Sequence, residues 1–232
     1  MVYGPQLTVS GTTESHSVSI QTGIDIISSA STDNIDFVES SASKVDARTY
    51  LNGTYTHYLA GGLAISGNAG FSIESDYFSL GYMVGVSKEN TERLSSWFAR
   101  LQVFNDDLRW GRLDKQANGP ETLIYPAELR YKEWFDEDHR QSYNLALGFT
   151  QVLSKRTTLG LFYELGIQKG LLSTPFHRVI FSDSTKAVEM FPDSRVKSGL
   201  SVRLNHFAGG STIIKNHLIS YLDDFGTFGI GL

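Results

Sequence analysis

Long segments in which apolar and polar side chains alternate with a period of two dominate this sequence. Residues 143–167 read YNLALGFTQVLSKRTTLGLFYELGI, two alternating runs on either side of a short polar joint. Such a period is expected for strands, whose successive side chains point to opposite faces of a sheet. It also predicts strands over 16–28, 44–58, 62–74, 77–87, 93–104, 195–206 and 211–222. The chain is therefore predicted to be all-β.

The connections between these segments alternate in length. Short joints are expected at 57–62, 88–91, 153–156 and 207–211, and long polar loops at 28–44, 105–138 and 170–194. The joint at 74–76 is an exception, since it is short where a long one is due. Short turns at one end and long loops at the other are typical of outer-membrane barrels, and segments of about 11 to 14 residues can cross a bilayer. We therefore predict an antiparallel up-and-down transmembrane β-barrel, built as a single domain over residues 1–232.

The number of strands follows from placing the short joints in the periplasm. The chain then contains nine full segments, an additional strand over 3–10, and only a fragment of another after residue 226. This predicts a barrel of about 10 to 12 strands that is incomplete at both ends of the chain. The alternative is a ten-stranded barrel in which 3–10 is a periplasmic tail and 228–232 is a short last strand.

The composition agrees with many strands and short turns. The chain has 22 Gly, 14 Phe and 11 Tyr but only 5 Pro, and its net charge of −5 argues against a nucleic-acid partner. Without cysteine it has no disulfides and no thiolate metal sites. No apolar run reaches the roughly 20 residues of a membrane-spanning helix, and the first residues lack a signal-peptide pattern. We expect the chain to be mature, cut or cytoplasmic.

Charged residues on the polar strand faces are the candidate lumen residues. They are Asp46, Arg48, Arg100, Glu164, Arg195, Lys197 and Arg203. One hypothesis is a charged constriction that selects solutes. The other, which a narrow barrel favours, is a network of ion pairs that fills the lumen. Aromatic residues near the segment ends predict interfacial girdles: Tyr58, Tyr77, Phe104, Tyr143, Phe207 and Tyr221.

The last long loop supplies a second candidate site. His177, Arg178 and Asp193 could meet Arg195 around an anionic ligand, although such loops more often pair their own charges. The acidic clusters at 33–36, 136–138 and 223–224 could bind divalent cations, but solvated loop charge is the commoner outcome. We predict no catalytic residues, no metal site and no cofactor. An outer-membrane barrel enzyme with a rim active site and a soluble envelope β-domain are the alternatives.

Three stretches resemble a family of uncharacterised predicted outer-membrane β-barrel proteins of Bacteroidetes and Proteobacteria. They are residues 148–181, residues 191–207 (FPDSRVKSGLSVRLNHF) and residues 220–226 (SYLDDFG). The resemblance is strongest over 140–226 and fainter over 18–105. It implies a barrel fold and a location in the outer membrane of a Gram-negative bacterium, with the lipid bilayer as a partner. It implies no activity, so passage of small solutes and binding of other envelope proteins both stay open.

Overall fold

In the computed structural model, the residues that can be described are 2–28, 45–74, 78–108, 139–172, 178–188 and 191–232. They form fourteen strands in chain order. The strands are β1 (Val2–Tyr3), β2 (Gln6–Thr12), β3 (His16–Ser28), β4 (Val45–Leu59), β5 (Leu63–Ile73), β6 (Phe78–Asn90), β7 (Ser95–Asp107), β8 (His139–Ser154), β9 (Thr157–Gly170), β10 (Arg178–Ile180), β11 (Lys186–Val188), β12 (Ser194–Gly209), β13 (Thr212–Asp223) and β14 (Phe228–Gly231).

Twelve of these strands form one antiparallel sheet in which neighbours in sequence are neighbours in space. β1 and β2 both pair with β3, so they occupy a single edge position, and β14 occupies the opposite edge. Each of the strands predicted from the two-residue period is present. The strand expected over 3–10 is also present, and the alternative that these residues are a tail is wrong, because β2 pairs with β3 along its whole length. Within the described residues the two edges do not pair with each other, so the sheet is open there.

The predicted short joints are tight turns, although the strands extend further into them than expected. β8 and β9 are joined by the two residues Lys155 and Arg156, and β12 and β13 by Gly210 and Ser211. Most of the long loops lies outside the described residues, as do residues 75–77 of the exceptional joint. The loop from β9 to β12 contains a hairpin formed by β10 and β11. Each of these strands has only three residues, which is too short for a period of two to be recognised in the sequence.

The register gives the sheet one apolar face and one polar face. The apolar face, called the outer face below, is solvent-accessible: Val84 is 62% exposed, Leu101 45% and Ile20 51%. On the opposite inner face, five polar residues are buried: Ser72, Ser79, Asp106, Ser142 and Asp223. Leu171 is the one buried hydrophobic residue among those described. This is the inverse of a water-soluble domain, whose core is apolar.

The strands are staggered progressively across the sheet. A row of directly opposed residues that starts at Val18, near the short-turn end of β3, passes through Val84 and Leu145. It ends at Leu222, one residue before the opposite end of β13. Each strand is thus displaced along its neighbour, and the displacement accumulates across the sheet.

The inner face is concave. One recess of ≈330 Å³ is lined by residues of β7, β8, β9, β12 and β13, from Gln102 to Tyr221. Neighbouring strands lie about 4.8 Å apart, so five strands can share one recess only where the sheet curves toward that face. A second recess of ≈560 Å³ lies on the same face, between Arg48 and Phe104.

A substitution of Gly170 would test the packing at the end of β9. Its φ is +99°, and a Cβ there would meet the backbone carbonyl of His139. We expect Gly170→Ala to destabilise the fold by about 1–3 kcal/mol, because both the dihedral and the contact are unfavourable to any side chain. Thermal unfolding followed by circular dichroism measures the effect. The control is Gly11→Ala, where a Cβ meets nothing within 4 Å. Equal midpoints for the two variants would contradict the described strand end.

Candidate functional site

Among the described residues, the inner face carries three ion pairs at the end of the sheet from which the long loops leave. They are Arg48 with Glu74, Arg140 with Asp106, and Arg195 with Asp223. We call this set of six residues the rim. Two of the predicted lumen residues, Arg48 and Arg195, belong to it.

Asp223 is the most completely satisfied member of the rim. Its side chain is 0% exposed, and Arg195 donates to its Oδ2 from Nε at 3.1 Å and from Nη2. Tyr221 donates to the same oxygen at 2.8 Å. Oδ1 accepts the backbone N–H groups of Phe225 and Thr227, at 3.1 and 2.9 Å. Asp223 thus joins β12 and β13 and fixes the turn to β14.

These contacts determine the pKa of the Asp223 carboxyl. Asp223 is the last residue of β13, at the end of the strand where the turn to β14 begins. The hydrogen bond from Arg195, together with those from Thr227 and Tyr221, outweighs burial and lowers the pKa of the Asp223 carboxyl well below its usual range. Asp223 is therefore an anion already paired within the protein, which leaves no free carboxylate oxygen there for a divalent cation.

The other two rim pairs differ in strength. Arg140 Nε donates to Asp106 Oδ2 at 2.9 Å, and the Ser79 hydroxyl donates to Oδ1 at 2.7 Å. The Asp106 side chain is only 3% exposed, so this pair is buried on its acidic side. Arg48 and Glu74 are 3.8 Å apart and more open to water, and we expect little stabilisation from that pair.

A different arrangement occupies the middle of the inner face. Arg100 on β7 has its Cζ 4.8 Å from the centroid of the Phe98 ring, and Arg203 on β12 has its Cζ 5.1 Å from that of Phe162. The two rings are 6.4 Å apart, across β8. The other predicted lumen charges lie here, and none of them forms an ion pair in the described chain: Arg100, Lys197, Arg203 and Glu164.

Glycines make room for these side chains. A Cβ at position 148 would meet the ring of Phe98, so the ring can lie across β8 only because residue 148 is glycine. At position 166 a Cβ would come 2.7 Å from Lys197 Cε, and the lysine stem lies over β9 for the same reason. The small residues of the polar alternation therefore position the larger ones.

The remaining predicted site residues are distributed as follows. The side chain of Asp46 is not among those described, although the register opposes this residue to Ile27. His177 and the side chain of Arg178 also lie outside the described set. Asp193 is exposed and accepts the N–H of Gly170 with its backbone carbonyl. Arg195 contacts Asp223 and Tyr221, so within the described residues it belongs to the rim rather than to a site with Asp193.

Several residues of the inner face escaped the sequence prediction. Asp106 was assigned to a long loop because β7 is longer than expected, and its partner Arg140 was missed for the same reason. Phe104 and Tyr221 were predicted as membrane-interface residues but line inner-face recesses. The period of two could have assigned both residues to the inner face. Phe104 is an odd number of residues from Leu101, and Tyr221 is an odd number of residues from Leu222, so each points away from the apolar face.

The outer face ends in polar and aromatic residues at the short turns. His16 and His57 stack with ring centroids 4.6 Å apart, and His16 Nδ1 lies 2.8 Å from the Tyr55 hydroxyl. Over the described ranges, no group of three or more His, Cys, Asp or Glu side chains is placed to hold a metal ion.

Comparison with known proteins assigns the chain to a family. The model of a family described as "Protein of unknown function (DUF3570)" matches residues 6–227. The chain belongs to this family. The match spans the sheet from β2 to the turn before β14, so the rim and the stacked arginines both lie in the family region. No curated protein and no solved structure matches the chain significantly. In the described parts of the chain, no helix is both long and apolar enough to cross a membrane.

Replacing Asp223 tests the rim. A carboxyl whose folded-state pKa is depressed stabilises the fold above its unfolded-state pKa, and this contribution is lost as the pH falls from there toward the folded-state value. We expect Asp223→Asn to lower the thermal midpoint at pH 7, and the difference from wild type to shrink below about pH 4. The exposed neighbour Asp224→Asn is the control and should change little. A pH-independent difference would contradict the pairing.

Proposed function

We propose that this chain forms a transmembrane β-barrel of the outer membrane of a Gram-negative bacterium, with a polar lumen through which small solutes pass. The observation that carries the proposal is the exposed apolar face, which continues across every strand of the sheet. A lipid-facing surface needs such a face, and a soluble protein rarely exposes a continuous apolar patch of this extent.

Backbone hydrogen bonding supports closure of the sheet. β14 pairs only with residues 219–222 of β13, so within the described chain one edge of residues 212–218 carries unpaired N–H and C=O groups. In hydrocarbon each unsatisfied group costs several kcal/mol, which only a closed barrel avoids. The stagger of the strands and the concave polar face are the geometry that closure requires.

Solute passage is supported by the middle of the inner face. Glycines and hydroxyl side chains leave recesses of ≈330 and ≈280 Å³ beside the stacked arginines. A plugged barrel would fill this region with paired side chains, which the described residues do not do. The rim also leaves open the recess of ≈560 Å³ that Arg48 and Glu74 line.

An adjacent pair of residues tests which face meets lipid. Leu101 lies on the outer face near the centre of β7, and Gln102 lies on the inner face. We expect Leu101→Arg to destabilise the protein folded in lipid vesicles by about 2–4 kcal/mol, because a charge near the bilayer midplane loses its hydration. Gln102→Arg should fold nearly as well as wild type. The measurement is folding into lipid vesicles, monitored by heat-modifiable migration on a gel.

The same assay separates the alternatives for the wild-type chain. A barrel requires detergent or lipid for solubility and migrates differently before and after boiling. A monodisperse protein in plain buffer would overturn the proposal in favour of a soluble envelope domain. A folded barrel that carries no current in a planar bilayer would overturn solute passage alone, in favour of a closed structural or partner-binding barrel.

A further inference from the structure

Charge is distributed unevenly over the inner face. The middle of this face on β2 to β6 is formed by hydroxyl, amide, thioether and glycine residues, and charged residues occur only toward the strand ends. The middle of β7 to β13 carries Arg100, Lys197 and Arg203 against a single carboxylate, Glu164. In a closed barrel one wall would therefore be neutral and polar, and the other cationic.

The three cations keep their charge available. None of them lies within ion-pair distance of a carboxylate in the described chain, and Arg100 and Arg203 are exposed on the inner face. Each of the two guanidinium groups lies over a phenyl ring, and this attraction between cation and ring does not use up the N–H donors. A planar fork of donors suits the oxygens of carboxylate and phosphate groups.

The space beside Lys197 and Arg203 is continuous. The recess that Lys197 lines and the recess that Arg203 lines share Glu164 and Gly199, so a small ion can contact both cations in turn. The Arg203 Nε is 3.3 Å from His217 Nε2, and the Ser201 hydroxyl is 2.7 Å from the same nitrogen. In the described chain Arg203 is therefore hydrogen-bonded to a histidine and not to a carboxylate.

We propose that Arg100, Lys197 and Arg203 form an anion-binding strip that makes the lumen selective for small anions over cations. The proposal rests on the proposed barrel and names the solute class that it admits. Phenyl rings orient the two arginines, Lys197 extends the strip toward the rim, and Glu164 is the one charge that opposes it. Chloride, phosphate and short carboxylates share the chemistry that this strip recognises.

The test is the reversal potential of the reconstituted full chain in a planar bilayer under a potassium chloride gradient. Wild type is expected to pass chloride in preference to potassium. Arg203→Gln and Arg100→Gln should each lower the chloride-to-potassium permeability ratio about fivefold, the order expected for removing one unpaired charge a few ångströms from a passing ion. Glu164→Gln should change the ratio in the opposite direction.

Two controls separate charge from structure. Lys88→Gln removes a cation from the outer face, and it should leave selectivity unchanged. Arg203→Lys keeps the charge but not the planar stack, so it should retain most of the selectivity for chloride. Heat-modifiable migration of each variant shows that the barrel is folded before its conductance is compared.

The outcomes distinguish this inference from the proposed function. A folded barrel that conducts without anion preference, or whose preference is unchanged in Arg100→Gln and Arg203→Gln, overturns the strip and leaves the barrel and solute passage standing. A folded barrel without conductance overturns both passage and selectivity. A chain that is soluble without detergent overturns the barrel itself and the strip with it.

Discussion

The hydrogen-bonded pairing of long antiparallel strands is the constraint on which the rest of this structure depends. Once β3 to β9, β12 and β13 pair in sequence order, the two-residue period assigns every side chain to one of two faces. A slip of one residue in the pairing of β7 would bring Leu101 to the polar face and Arg100 to the apolar one. Register therefore determines both the outer surface and the chemistry of the inner one.

The inner face shows how polar residues satisfy one another without an apolar core. At the rim, Asp106 and Asp223 are buried, and each is bound by an arginine and by a hydroxyl donor, so desolvation of the carboxylate is offset by several hydrogen bonds. Farther down, Arg100 and Arg203 lie against aromatic rings instead of carboxylates. In the described chain, the loop end of the inner face thus carries paired charges, and its middle carries cations that have no carboxylate partner.

Most of the sheet could be predicted from the sequence, because the period of two is a local property and is strong in segments of this length. The face of Arg100, Glu164 and Arg203 followed from the same pattern. The ion pairs did not, because strand ends are poorly marked and Asp106 was counted as part of a loop. The contact between the Phe98 and Phe162 rings also could not be foreseen, since it depends on the register between β7 and β9 and on the absence of a side chain at Gly148. The hairpin of β10 and β11 is too short for any periodic signal.

The glycines of the inner face link the alternating sequence pattern to the packing of side chains in the sheet. In the sequence they are simply the small members of an alternating pattern, and propensity alone would count them as weak points in a strand. In the folded sheet, the side chain of Phe98 crosses β8 at Gly148, and that of Lys197 crosses β9 at Gly166. Glycine costs conformational entropy at these positions, but it gives Phe98 and Lys197 a defined position. The electrostatic character of the inner face thus depends on residues that carry no charge. Filling either glycine would displace an aromatic ring or a cation while leaving every charge of the sequence in place.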